Sequence, residues 1–185
     1  MFRVTKSHLA CCLLLVVNNA YAATQGTLGA TSTGTATISV TKSVQAQISD
    51  LQDMTLANWG VGDGAVSLSS NVCVYSSTGN YKVTASGSGA ASAFTLSNGS
   101  TNIAYSVTWN AGGAGNLSNT GTALTTSVQS TGYTTATTAS ANCSGGGASN
   151  DTARVIVGIT SGNMDAAVSS ATAYTGTLTL LVSPY

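Results

Sequence analysis

Few side chains in this 185-residue chain can do chemistry: one histidine, four cysteines, five acids and five basic residues. The acids are all aspartates: Asp50, Asp53, Asp63, Asp151 and Asp165. His8 is the sole imidazole, and it stands beside Cys11 and Cys12 at the front of the chain. Nucleophilic catalysis of the Ser-His-Asp or Cys-His kind needs a base within reach of the nucleophile. Zinc and copper sites draw on imidazole and thiolate ligands. Two aspartates suffice in principle for a glycosidase pair. Asp50, Asp53 and Asp63 could be offered to Ca²⁺, but no EF-hand or repeat spacing joins them. Aspartate favours turns because its carboxylate bonds nearby backbone N–H groups, so turn positions are the expectation.

The front of the chain decides how much of this inventory counts. Arg3 and Lys6 precede an apolar run from Leu9 to Val17, and Ala20-Tyr21-Ala22 supplies small residues where a signal peptidase reads them. The pattern predicts a secretory signal over residues 1–22, cut between Ala22 and Ala23. The run is too short for a permanent membrane anchor, and no later segment nears the ~20 apolar residues a spanning helix needs. A lipoprotein reading on Cys11 fits worse, since that cysteine lies inside the apolar run. Cleavage would carry off His8, Cys11, Cys12 and two cations. Lys42, Lys82 and Arg154 would then face five aspartates, too few cations for a nucleic-acid backbone. No catalytic residue, cofactor or metal set is expected in what remains. An isopeptide bond from Lys42 or Lys82 would lack a helper glutamate, because the chain has none.

Cys73 and Cys143 are left, 70 residues apart. Export makes their oxidation to a disulfide the expectation. Closing a loop of that length is worth about 4 kcal/mol by loop entropy.

The elements that carry these residues read as strands. Ala36-Ile38-Val40, Val44-Ala46-Ile48, Tyr81-Val83-Ala85, Ile103-Tyr105-Val107-Trp109, Val155-Val157-Ile159 and Leu178-Leu180-Val182 alternate with Thr and Ser. Period two marks half-buried strands, and β-branched residues suit a pleated surface. Gly60–Gly64, Gly87–Gly89, Asn98-Gly99, Gly112-Gly113 and Gly145–Gly147 separate them, and Asn98-Gly99 predicts a hairpin between Phe94–Leu96 and Ile103–Tyr105. Helix is limited to one short turn within 163–171. Eight to ten strands with this turn spacing predict an all-β antiparallel sandwich over residues 35–185. Its core candidates include Leu56, Trp59, Val74, Phe94 and Trp109.

Residues 23–34 differ. They are rich in Gly, Thr and Ser, with only Leu28 and Ala30 as apolar points, and they run into Ala36, Ile38 and Val40. Such a segment is either a loose tail ahead of a strand or a strand that adds to another copy's sheet edge. The candidate donor residues are Leu28, Ala30, Ala36, Ile38 and Val40.

The order of signal, small-residue extension, strand series and closing Tyr174-Thr175-Gly176-Thr177-Leu178-Thr179-Leu180-Leu181-Val182 resembles chaperone–usher pilus subunits. It also resembles the spore-coat-U-like secreted proteins of Gram-negative bacteria. The stretch from Cys73-Val74-Tyr75 through Tyr81–Gly87 to Ile103–Val107 shares the likeness. The resemblance implies an immunoglobulin-like sandwich completed by a neighbour's strand. It also implies a periplasmic chaperone and an outer-membrane usher as transit partners, copies of itself or related subunits as assembly partners, and a cell-surface fibre used in adhesion or biofilm. Two other readings stand beside it. One is a self-contained secreted module binding carbohydrate through Trp59, Trp109 and the tyrosines. The other is a small outer-membrane barrel ending in Tyr185, although counting back in twos gives a mostly polar face.

Overall fold

A computed structural model describes residues 23–144 and 150–185. The expected signal, His8 and Ala22 lie outside the described residues. The chain divides into two units, Met1–Lys42 and Ser43–Tyr185. The described part of the first holds no strand element, only a bridge in which Thr24 and Thr35 exchange two 2.9 Å backbone hydrogen bonds. The alternation at Ala36, Ile38 and Val40 therefore builds no strand there: a strand needs a sheet partner, and among the described residues these have none. The compact domain begins at Ser43, later than the expected residue 35.

The second unit is all-β and antiparallel. Its strands are β1 (Ala46–Ser49), β2 (Val66–Ser76), β3 (Tyr81–Gly87), β4 (Thr95–Ser97), β5 (Asn102–Ala104), β6 (Ser106–Asn110), β7 (Thr122–Leu124), β8 (Ala153–Ile159) and β9 (Leu178–Pro184). One open five-stranded sheet runs β1-β2-β8-β6-β7. β3 and β9 pair from Tyr81–Pro184 to Gly87–Leu178 in the facing layer. On the far side of β3, residues 126–133 add bridges at Ala85, Thr84 and Tyr81. β4 and β5 form the expected hairpin. Gly99 takes φ 91°, which a side chain would oppose, and Asn98 Oδ1 accepts from the N–H groups of Ser100 and Thr101 at 3.0 and 2.9 Å.

Two expectations shift. The run from Ile103 to Trp109 is two strands, because Tyr105 breaks the ladder and donates its N–H to Phe94 O at 2.9 Å. That change of partner carries the chain from the β4–β5 hairpin into the large sheet. The helical turn α1 starts earlier than expected, at Ser161–Asp165, because Thr160 caps it by accepting from the Asn163 N–H.

The core lies between the layers. Val72 and Val74 of β2, Val107 and Trp109 of β6 and Val155 of β8 meet Tyr81, Val83 and Ala85 of β3. Tyr81 and Trp109 stack edge to face with centroids 6.3 Å apart, and the Trp109 indole N–H donates to the Tyr81 hydroxyl at 3.1 Å. Burial pushes the Tyr81 phenol up to about 12. Leu56, expected in the core, is exposed instead. It sits in the irregular connection between β1 and β2, where Met54 and Trp59 are the residues that reach the core.

Candidate functional site: a free strand edge

Antiparallel partners exchange both backbone hydrogen bonds at alternate positions, so one observed pair fixes the phase of a whole strand. Tyr81 and Tyr133 exchange hydrogen bonds, Ser130 donates to Val83 O and Ser127 donates to Ala85 O. Tyr81, Val83 and Ala85 thus turn their backbone groups away from β9. Lys82, Thr84 and Ser86 are left to bond Ser183, Leu181 and Thr179, their register partners. It follows that Leu178, Leu180 and Val182 direct their N–H and C=O groups to the outer edge of β9. No backbone partner for them exists among the described residues. Their side chains pack half-buried against the core.

β1 is phased the same way. Ser76 donates to Thr137 O and Thr137 donates to Val74 O, so Cys73 and Tyr75 face β1 and bond Ser49 and Gln47. Ala46 and Ile48 then present their backbone groups outward, and the Ile48 side chain packs against the core. The outer edges of β1 and β9 lie side by side, within 8 Å between Cα atoms, with no hydrogen bond across them. A strand seated between them would need two strand spacings, about 9.6 Å. Entry therefore requires β1 to part from β9.

A row of unpaired backbone groups backed by apolar side chains is a template for another strand. These edges carry no charged residue. Lys82 lies on the neighbouring β3, with its ammonium 5.2 Å from the centre of the Tyr185 ring.

The remaining sequence candidates fall elsewhere. Cys73 and Cys143 form the expected disulfide, S–S 2.00 Å with Cα atoms 5.8 Å apart. It ties the outer face of β2 to the loop ahead of β8. Leu28, Ile38 and Val40 are exposed, as are Ala30, Ala36 and Ala23. Trp109 is fully buried and offers no face to a sugar. Trp59 is half-buried, and its indole N–H donates to Gly64 O at 3.0 Å, which fixes it over its own loop. Asp63 is a turn aspartate, accepting from the Gly60 N–H at 2.7 Å. Asp50, Asp53 and Asp63 do not converge, and no group of three His, Cys, Asp or Glu capable of holding a metal occurs among the described residues. Among the described residues the sheets are open and close no barrel. The free edge of β9 is not legible in the sequence. Its residues were visible as a strand, but the edge is defined by which strands pair elsewhere. Comparison with known proteins finds no matching family model, curated protein or solved structure.

Proposed function

We propose that this protein is a non-enzymatic structural subunit that assembles by β-strand addition, residues 36–40 of one copy entering the open edge between β1 and β9 of the next. The observation that carries the reading is the unpaired, apolar-backed edge of β9. Leu178, Leu180 and Val182 offer three pairing positions at period two, and Ala36, Ile38 and Val40 supply three apolar residues at the same period. Leu28 and Ala30 supply only two. Burying Ile38 and Val40 contributes roughly 1.5–3 kcal/mol each.

The connectivity favours a fibre over a closed pair. Ala46 lies opposite Ser76, the short turn after Ser76 leads to Tyr81, and Tyr81 lies opposite Pro184. β1 therefore begins at the pole where β9 ends. A donor antiparallel to β9 leaves the neighbour at the opposite pole and joins subunits head to tail, an open arrangement. A donor parallel to β9 would leave at the shared pole and permit a reciprocal dimer. Antiparallel pairing is the more stable per residue, and β9 is the longer of the two edges. Folding back into the chain's own groove is opposed by the connection Thr41-Lys42-Ser43-Val44-Gln45, which holds no Gly, Pro, Asn or Asp for a tight turn. Export through a signal at residues 1–22, delivery by a periplasmic chaperone and an outer-membrane usher, and a place at the cell surface belong to the same reading.

The test compares protein starting at Ala23 with protein lacking residues 23–42, by light scattering after size exclusion and by negative-stain microscopy. Strand addition requires oligomers or filaments from the first and monomers from the second. Full-length protein that stays monomeric at all concentrations sinks the reading.

A further inference from the structure

The free edge of β9 is bounded at both ends. Tyr81 exchanges both backbone hydrogen bonds with Tyr133, at 2.9 and 2.8 Å, so it turns its backbone away from its register partner Pro184. Pro184 therefore belongs to the outer edge, in phase with Leu178, Leu180 and Val182. A proline there has no N–H to give, and its ring stands where an incoming carbonyl would approach. Tyr185 holds that end in place. Its ring lies against Gly132 in the segment beyond β3, where even a Cβ would collide with it, and the Lys82 ammonium is 5.2 Å from the ring centre. At the other end, Thr175 exchanges backbone hydrogen bonds with Ser97 at 2.9 and 2.8 Å, and a Cβ on Gly176 would meet Thr95 O at 2.8 Å. The chain is packed on β4 there. Among the described residues, Leu178, Leu180 and Val182 are thus the full pairing positions of this edge.

We infer that the incoming segment takes one register, with Ala36 opposite Val182, Ile38 opposite Leu180 and Val40 opposite Leu178, and that Pro184 of the receiving copy and Lys42 of the donor fix it. The inference rests on strand addition antiparallel to β9. Side chains directly opposite each other share a face, so all three apolar donor residues then enter the core together. Gly34 falls opposite Pro184, where it sets no side chain against the ring. A slip of two residues one way sets Ala36 against Pro184 and leaves the Ala36 carbonyl unbonded. The same slip carries Lys42 inward opposite Leu178, where its charge would be buried unpaired. A slip of two the other way sets Gly34 against Val182 and moves Val40 to Gly176, past the last free position. A slip of one turns Ile38 and Val40 out to solvent.

Disulfide trapping reads the register. Residues that exchange both hydrogen bonds across antiparallel strands have Cα atoms about 5.5 Å apart, within disulfide reach. Two variants of the protein starting at Ala23 are mixed in glutathione buffer, one carrying Leu180→Cys and the other Ala36→Cys, Ile38→Cys or Val40→Cys. Crosslinked peptides are then measured by mass spectrometry. Ile38→Cys should give about tenfold or more product over the other two, the ratio that one lost pairing bond corresponds to. Val182→Cys should trap Ala36→Cys in the same way, which keeps the test valid if Leu180→Cys fails to fold. Pro184→Ala in the receiving copy, combined with Lys42→Val in the donor, should raise the product of Val40→Cys with Leu180→Cys several-fold. A dominant product from any other pair overturns the register while strand addition stands. An unchanged Val40→Cys product in the combined variant overturns the roles of Pro184 and Lys42. Folded protein that gives no crosslink at any pair overturns register and strand addition together.

Discussion

Breaking the Cys73–Cys143 disulfide should cost more than any other change outside the core. The closed segment spans 70 residues, and loop entropy assigns its closure about 4 kcal/mol. At roughly 3 °C per kcal/mol for a domain of this size, the melting point should fall by about 10–15 °C. Cys73 is fully buried and Cys143 nearly so, so reduction must be done on unfolded chain before refolding. The assay is thermal melting followed by circular dichroism, on oxidised protein, reduced protein and the Cys73→Ala/Cys143→Ala pair. The single change Cys143→Ala should match the double, since half a bridge closes nothing. Reduced and oxidised melts agreeing within about 3 °C would refute the reasoning, because the unfolded chain would then gain no freedom when the bridge is cut.

Tyr81→Phe removes the acceptor of the buried Trp109 N–H and should cost about 1–3 kcal/mol in denaturant unfolding, more than Tyr185→Phe at an exposed ring. The Tyr81 phenol is pushed up to about 12 by burial, so the unfolded chain ionises first. Its contribution is intact below about pH 10 and is lost as pH climbs from there through about 12, roughly 3 kcal/mol in all. Absorbance at 295 nm should therefore show a late-ionising tyrosine fraction, Tyr81 within it, that appears together with alkaline unfolding, and a smooth titration of every tyrosine in folded protein would contradict it. On β9, Leu181 is exposed while Leu180 faces the core, so Leu181→Lys should change stability by under about 0.5 kcal/mol and leave assembly intact. Leu180→Lys should abolish assembly, read as a monomer in light scattering.

The strands were legible where alternation was strict. Tyr81-Val83-Ala85 and Leu178-Leu180-Val182 lie where period two put them, because each faces one core on one side. The Asn98-Gly99 hairpin was legible from its turn chemistry. Tyr105 was not: its alternation continues through both β5 and β6, and only a tertiary partner, Phe94 O, shows that the ladder changes hands there. Ala36-Ile38-Val40 carries the same pattern as a strand, yet alternation cannot say whether a partner strand is present. The same limit hid the candidate site, since the unpaired backbone edge at Leu180 is a property of where β3 and residues 126–133 pair. The disulfide followed from counting the cysteines left after the expected signal.

Strand addition is tested most directly by supplying the strand as a separate molecule. A peptide of residues 34–42, added to protein lacking residues 23–42, should bind with one-to-one saturation and raise the melting point. The same peptide carrying Ile38→Thr and Val40→Thr should bind about a hundredfold or more weaker, because two apolar side chains no longer enter the groove. Absence of saturable binding, or equal binding by the two peptides, would contradict an open edge on β9 that receives this segment.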